Sequence, residues 1–296
     1  MKHRATWIAV VVILLAAFAV AQEQYLDVYI AQVKPEKRAD FDAISKKMVT
    51  ANRQNKGDLW LSMETSYGPM NRVTFVSTRQ SYDDAEKGSE AFYGSIVKSL
   101  GQSAADKLFQ EFSACLVNSR SELRKRRWDL SSNAPTDAGA MAKMLGESRW
   151  LRTSVIRVKP GKGPELEALL KDIKAAREKN SPDVTTLVSQ GVAGQEGTVY
   201  YVTTIEKSLA GFDSIAPLQK VLGDEGFAKY LKTGSEIVEN SEVVINHFLP
   251  ELSNPPADVI AAAPDYWTPK TAVVAKGTAK KSVVNAAETM KMEDKK

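Results

Sequence analysis

One motif occurs twice in this chain. Val28-Tyr29-Ile30-Ala31-Gln32-Val33-Lys34-Pro35 returns 125 residues later as Thr153-Ser154-Val155-Ile156-Arg157-Val158-Lys159-Pro160. A period this long exceeds a solenoid unit and matches a whole small domain, so the chain reads as two copies of one fold. The segments after each motif agree position by position. Phe41, Ile44, Met48 and Ala51 fall opposite Leu166, Leu169, Ile173 and Ala176. Steps of three and four residues mark the apolar stripe of an amphipathic helix. Pro35 and Pro160 suit the first helical position, where a missing N–H costs nothing. Asn55 and Asn180 close the helices.

Leu59 to Thr65 and Val184 to Gln190 then read as strands, followed by glycine-bearing turns (Tyr67-Gly68-Pro69, and Gly191 to Gly197). Val73 to Thr78 and Val199 to Thr204 are β-branched and aromatic, the composition of strands. A second helical region follows in each copy, with Leu100-Gly101 matched by Leu222-Gly223 at a spacing of 122. Asn118-Ser119 and Asn240-Ser241, then Leu130-Ser131 and Leu252-Ser253, keep that spacing to the end of each copy. Each copy therefore reads strand, helix, strand, strand, helix, strand, the split βαβ or ferredoxin-like order. Apolar side chains on both sides of the first strand (Tyr25, Val28, Tyr29, Ile30, Val33) require both faces of the sheet to be buried. Two copies in one chain meet that requirement by pressing their open faces together.

On these elements, over residues 24–131 and 148–253, the chain resembles the dimeric α/β-barrel superfamily, which includes antibiotic-biosynthesis monooxygenase-like domains. The resemblance implies an α+β fold: two ferredoxin-like βαββαβ units packed sheet to sheet as an intrachain pseudo-dimeric α/β barrel. Enzymes of that superfamily include cofactor-free oxygenases and haem-degrading proteins, but no residue motif of theirs carries over to this chain.

Met1 to Ala21 has the form of a secretory signal: Lys2 and Arg4, an apolar run from Trp7 to Val20, then Ala19-Val20-Ala21 before the expected cleavage. The expected order is a signal peptide over 1–21, a first domain over 22–131, a linker over 132–147, a second domain over 148–253 and a Pro-, Ala- and Lys-rich, mostly disordered tail over 254–296. Tyr266 and Trp267 are expected to tack the start of that tail onto the body. The destination is periplasmic or secreted, with a bacterial envelope favoured, and no transmembrane segment follows the signal. Cys115, the single cysteine, excludes an intrachain disulfide and reads as a small buried hydrophobe. The formal charge is +4, but seven Lys against three acidic residues over 270–296 supply a local +4, and the body from 22 to 269 is about −2. That balance argues against a nucleic-acid partner.

Motif searches for chemistry return little. One His and one Cys cannot build a His/Cys metal site after signal removal, and no metal or other cofactor is expected. Phosphate-binding and dinucleotide-binding glycine patterns are missing, as is the Gly-x-Ser-x-Gly elbow. His247 shares a strand face with Val243, Ile245 and Leu249. Asp27 and Arg152 occupy matching positions in the two first strands and are candidates for one shared pocket, with His247, Trp60 and Tyr201 as further lining. Arg124-Lys125-Arg126-Arg127-Trp128 forms a second candidate, an anion-binding patch. Its alternation puts Arg124 and Arg126 on one face and Lys125 and Arg127 on the other. Charge on both faces is the mark of a protected sheet edge. The leading expectation is an exported two-domain binding or interaction module, monomeric as a pseudo-dimer, for a small-molecule ligand or an envelope partner. The alternatives are a metal-free monooxygenase-like enzyme for a small aromatic or polyketide-like molecule, and a structural envelope protein contacting an anionic partner.

Overall fold

The first strand, β1 (Tyr25–Val33), buries both of its faces, and the architecture follows from that. Tyr29, Ala31 and Val33 pack under helices, whereas Leu26 and Ile30 line the interior of a closed barrel. The computed structural model describes residues 24–268 and joins eight strands, all antiparallel, in the cyclic order β1-β3-β2-β8-β5-β7-β6-β4. Residues 1–23 and 269–296, on which the expected signal peptide and basic tail fall, lie outside the described residues.

After β1 come α1 (Arg38–Asn55), β2 (Leu61–Tyr67), β3 (Arg72–Arg79), α2 (Tyr82–Leu100), α3 (Gln102–Ala114) and β4 (Leu116–Arg126). The second half runs β5 (Trp150–Val158), α5 (Gly163–Asn180), β6 (Thr186–Ala193), β7 (Thr198–Glu206), α6 (Leu218–Ile237) and β8 (Val238–Phe248), with α4 (Ala138–Glu147) between the halves. Two short helices, α7 (Ala257–Ala262) and α8 (Pro264–Trp267), follow β8. Two seams close the ring. At one, Met63 and Glu64 of β2 face Phe248 and His247 of β8; at the other, Lys125 and Arg126 of β4 face Gln190 and Ser189 of β6.

Helices cover the outside. Phe41, Ile44 and Met48 of α1 pack with Val33, Val73 and Ile96, and Leu166 and Leu169 of α5 pack with Val158, Val188 and Tyr200. Both sets are the apolar stripes expected from the sequence. The matched glycines break their helices: Gly101 has φ 80° and Gly223 φ 71°, a left-handed region that a Cβ disfavours. Cys115 is buried and its Sγ donates to the Glu111 carbonyl.

Three expectations need correction. Pro35 opens a 3-10 turn ahead of α1, but Pro160 lies before the helix; Gly161, at φ 77°, turns the chain first, and Pro164 takes the early helical position. The stretch over 132–147 is more than a tether, because α4 packs against α7 and caps one end of the barrel. Nor does the fold stop at residue 253. Asn254 bridges to Trp60, and Trp267 is wholly buried with its ring N–H donating to the Gly146 carbonyl at 2.8 Å. This cap forms a third apolar cluster with Leu151, Leu187 and Phe248. Gly146 permits the close approach, since a Cβ there would stand 2.5 Å from the Val259 carbonyl oxygen. Trp267→Ala is expected to cost about 3–5 kcal/mol in urea denaturation. A loss below about 1 kcal/mol would show that the cap is not part of the cooperative fold.

Candidate functional site

Strand alternation aims Arg120, Glu122, Arg124 and Arg126 of β4 into the barrel, an unusual load of charge for an enclosed space. The interior is not filled. A cavity of about 510 Å³ runs through it, walled by apolar and threonine side chains, among them Val76, Leu187, Thr153 and Thr203. That volume is within the range of sites for small organic molecules.

Buried charge must be paired, and Glu122 shows how. Its side chain is shut off from solvent. Oε2 accepts from Arg124 Nε at 2.8 Å, from the Tyr201 hydroxyl at 2.9 Å and from Gln195 Nε2 at 3.1 Å. Arg120 Nε lies 2.7 Å from Oε1, and the Arg124 guanidinium stacks 3.5 Å from the centre of the Tyr201 ring. Burial pushes the Glu122 carboxyl up, but the charges of Arg124 and Arg120 and the hydrogen bonds of Arg124 and Tyr201 outweigh it and hold it below the usual range. Burial raises the Tyr201 phenol. A carboxylate so tied up is a poor proton acceptor. This group holds charge in place.

Arg126 differs. It lines the same cavity yet makes no side-chain hydrogen bond or ion pair among the described residues, and its Nε is buried without a partner. Its guanidinium lies 5.5 Å from the centre of the Trp128 ring.

A second cavity, of about 370 Å³, lies on the helix side of the first-half sheet. Its walls are the rings of Tyr29, Trp60, Phe75, Phe92, Phe109 and Phe112. At its rim Arg79 grips Asp58 through two hydrogen bonds of 2.6 Å and reaches Asp27 at 3.4 Å. A Cβ at Gly88 would collide with that guanidinium, so α2 can pass over it only with glycine there. Burial pushes the Asp27 carboxyl up, opposed by Arg79.

The five candidate pocket residues do not share one pocket. Trp60 and Tyr201 both line the barrel cavity, and Trp60 also reaches the helix-side cavity, where Asp27 lies. Arg152 is exposed on the outer face of β5, and β1 and β5 are not neighbours in the ring, so no bridge to Asp27 forms. His247 also faces outward, 4.5 Å from Trp150 ring to ring, with its pKa lowered by burial and by Arg149. The basic candidate is divided by the sheet. Arg124 and Arg126 point inward, while Arg127 is held outside by Asp129 at 2.8 Å and Glu167 at 2.5 Å. Lys125 shares the Arg127 side, and Trp128 packs against the capping cluster. β4 is no edge: it pairs with β1 and with β6. Sequence reasoning passes over Glu122, Arg120, Gln195, Asp58 and Arg79. The regular Arg120-x-Glu122-x-Arg124-x-Arg126 spacing is the available signal for the first two.

Glu122→Gln is expected to cost about 3–5 kcal/mol, since it strands Arg124 in the interior. Tyr201→Phe is expected to cost about 1.5–3 kcal/mol, the loss of a hydrogen bond to a charged group. With its folded pKa below the ordinary 4.5, Glu122 contributes stability that is present above that pH and lost as pH falls through the folded value. Urea midpoints followed from pH 7 to pH 3 should therefore fall less steeply in Glu122→Gln than in the parent chain.

No family model matches the chain, and no curated protein matches it. Solved structures do. An anthrone oxidase-like protein superposes with a TM-score of 0.50 at 14% identity, covering 78% of this chain and 93% of its own. A mutant chlorite dismutase from Candidatus Nitrospira defluvii gives 0.43 at 13% identity, over 77% of this chain and 92% of its own. A haem-binding protein from Thermus thermophilus gives 0.43 at 13%, over 78% and 93%. At such identities the likeness is one of fold. The chain is an α+β protein with a closed eight-stranded antiparallel barrel, a fold like that of the anthrone oxidase-like protein.

Proposed function

We propose that this protein is an exported binding protein in which two ferredoxin-like units, joined in one chain as a pseudo-dimer, enclose a small organic ligand inside their shared barrel. The observation that carries this reading is a cavity of about 510 Å³ that runs from the barrel interior out to Asp58, Arg79 and Lys87, which an ordinary close-packed core would not leave. Export rests on the Met1 to Ala21 pattern, and monomeric behaviour on the seams being closed within one chain. Binding is favoured over catalysis because the most elaborate polar group of the interior, Glu122, is held ionised below the usual carboxylate range by Arg124 and Arg120, which makes it a weak proton acceptor.

The test is mass spectrometry of small molecules released from protein purified from its native compartment, beside Thr203→Phe. That substitution puts a ring into the space where Thr203 and Thr153 hydroxyls meet at 3.0 Å. Overpacking is expected to cost about 1–3 kcal/mol and to leave a folded chain. The released compound should be absent from the variant. Recovery of equal amounts from both proteins would place the ligand elsewhere.

Metal-free oxygenation of an aromatic molecule is a second reading, favoured by the helix-side cavity. There six aromatic rings surround a space bordered by Asp27, a carboxyl that burial displaces upward and so makes a stronger proton acceptor than an ordinary carboxylate. Anthrone is a fair first substrate, given the name of the anthrone oxidase-like neighbour. Dioxygen uptake with anthrone should be lost in Asp27→Asn; no uptake above buffer with the parent protein would remove this reading.

A further inference from the structure

In the barrel interior β4 presents Arg120, Glu122, Arg124 and Arg126, whereas the strand opposite presents Glu242, Val244, Asn246 and Phe248. In the ring order β4 and β8 stand four places apart, diametrically across the cavity. At the 122-residue spacing Arg124 and Arg126 of β4 correspond to Asn246 and Phe248 of β8, and all four line the space. A molecule held between Arg126 and Phe248 meets a cation at one end and an aromatic ring at the other.

The cations are not equally free. Arg124 and Arg120 share the Glu122 carboxylate, and Arg72 faces the charge of Glu242. Arg126 has no such partner among the described residues. Its Nε is buried and unbonded, and Trp128 offers only the face of a ring. An isolated cation in such surroundings is costly unless an anion joins it. Burial and the neighbouring Arg124 lower its pKa to about 10, which still leaves it charged at pH 7. A planar guanidinium with free N–H groups is matched by a two-oxygen anion in a bidentate pair. One unpaired fork in a cavity that Leu187, Val76 and Phe248 also line suits a single negative charge on an apolar body better than a phosphate dianion.

From this we infer that Arg126 anchors the carboxylate of the barrel's ligand, and that the ligand class is organic carboxylic acids with an apolar or aromatic body lying toward β8. The inference rests on the binding reading above and adds the ligand's chemical class and orientation. Calorimetric titration with 2-naphthoate and decanoate, each beside its uncharged alcohol (2-naphthalenemethanol and 1-decanol), tests it. The acids should bind the full protein about 10- to 100-fold more tightly than the alcohols, the range for a charge-assisted hydrogen bond. Arg126→Met should bring the acids down to the affinity of the alcohols and leave the alcohols within about twofold; Arg126→Lys should keep part of the preference. Without ligand, Arg126→Met should also melt higher than the parent by about 2–4 °C, because it replaces a buried unpaired charge with an apolar chain. A purely structural arginine would instead lower the melting temperature and weaken acids and alcohols alike, and that result would overturn the anchor. Alcohols binding the parent as tightly as acids would also overturn it while leaving the cavity reading intact. Binding of none of the four compounds would overturn both.

Discussion

Closure of the ring by its two seams governs this molecule. A four-stranded sheet with helices on one face leaves two unpaired edges and one bare face. Pairing β2 with β8 and β4 with β6 removes all the edges at once and turns both bare faces toward each other. Nothing about the interior is then independent of that closure. Side chains that would be solvated on an open sheet become internal, and each polar one needs a partner within reach. Glu122 meets the demand by drawing on β4 itself, on Tyr201 of β7 and on Gln195 of the β6–β7 turn, so its hydrogen bonds also tie one seam together.

The outward faces obey a different rule. There the helices supply the cover, and the two halves differ in what they cover it with. The first half is rich in rings, with Phe41, Phe75 and Phe112 meeting at centroid distances of 5.1 to 6.3 Å, and a cavity remains beside them. The second half relies on Leu166, Leu169, Leu170 and Val188, with Tyr200 tied to Glu167 by a 2.6 Å hydrogen bond. Divergence of this kind leaves the backbone order unchanged while altering which spaces are available to a ligand.

Much of this is legible in the sequence where periodicity alone decides. The stripes at Phe41 and Leu166 and the strand at Val73 depend on local pattern, and the structure places them within a few residues of where that pattern does; the helix breaks at Gly101 and Gly223 are findings of the structure. The failures share another cause: they depend on which strand lies beside which. Charge on both faces of β4 reads as an edge because pairing with β6 cannot be inferred from β4 itself. Matched position in the repeat brings Asp27 and Arg152 together, yet a ring that separates β1 from β5 holds them apart. Likewise, α4 reads as a tether in composition, and although Tyr266 and Trp267 point to a contact with the body, only the packing of these segments over the barrel end shows where it falls.

The charged strand sets the two halves of the barrel apart. With identical halves, inward positions of β4 and β8 would present the same chemistry across the cavity, and a bound molecule would meet two equivalent walls. Here Glu122 faces a ring whose opposite strand carries Val244 at the matching position, and Arg126 is matched by Phe248. At that end of the barrel a cation therefore stands on one seam and an aromatic ring on the other. Coulomb energy in such a low-dielectric space is large, so two arginines cannot stay near each other there without an anion between or beside them. Glu122 serves Arg124 in that way from within the chain. For Arg126 the described residues provide no equivalent, and the space next to it is the part of the interior that side chains leave empty.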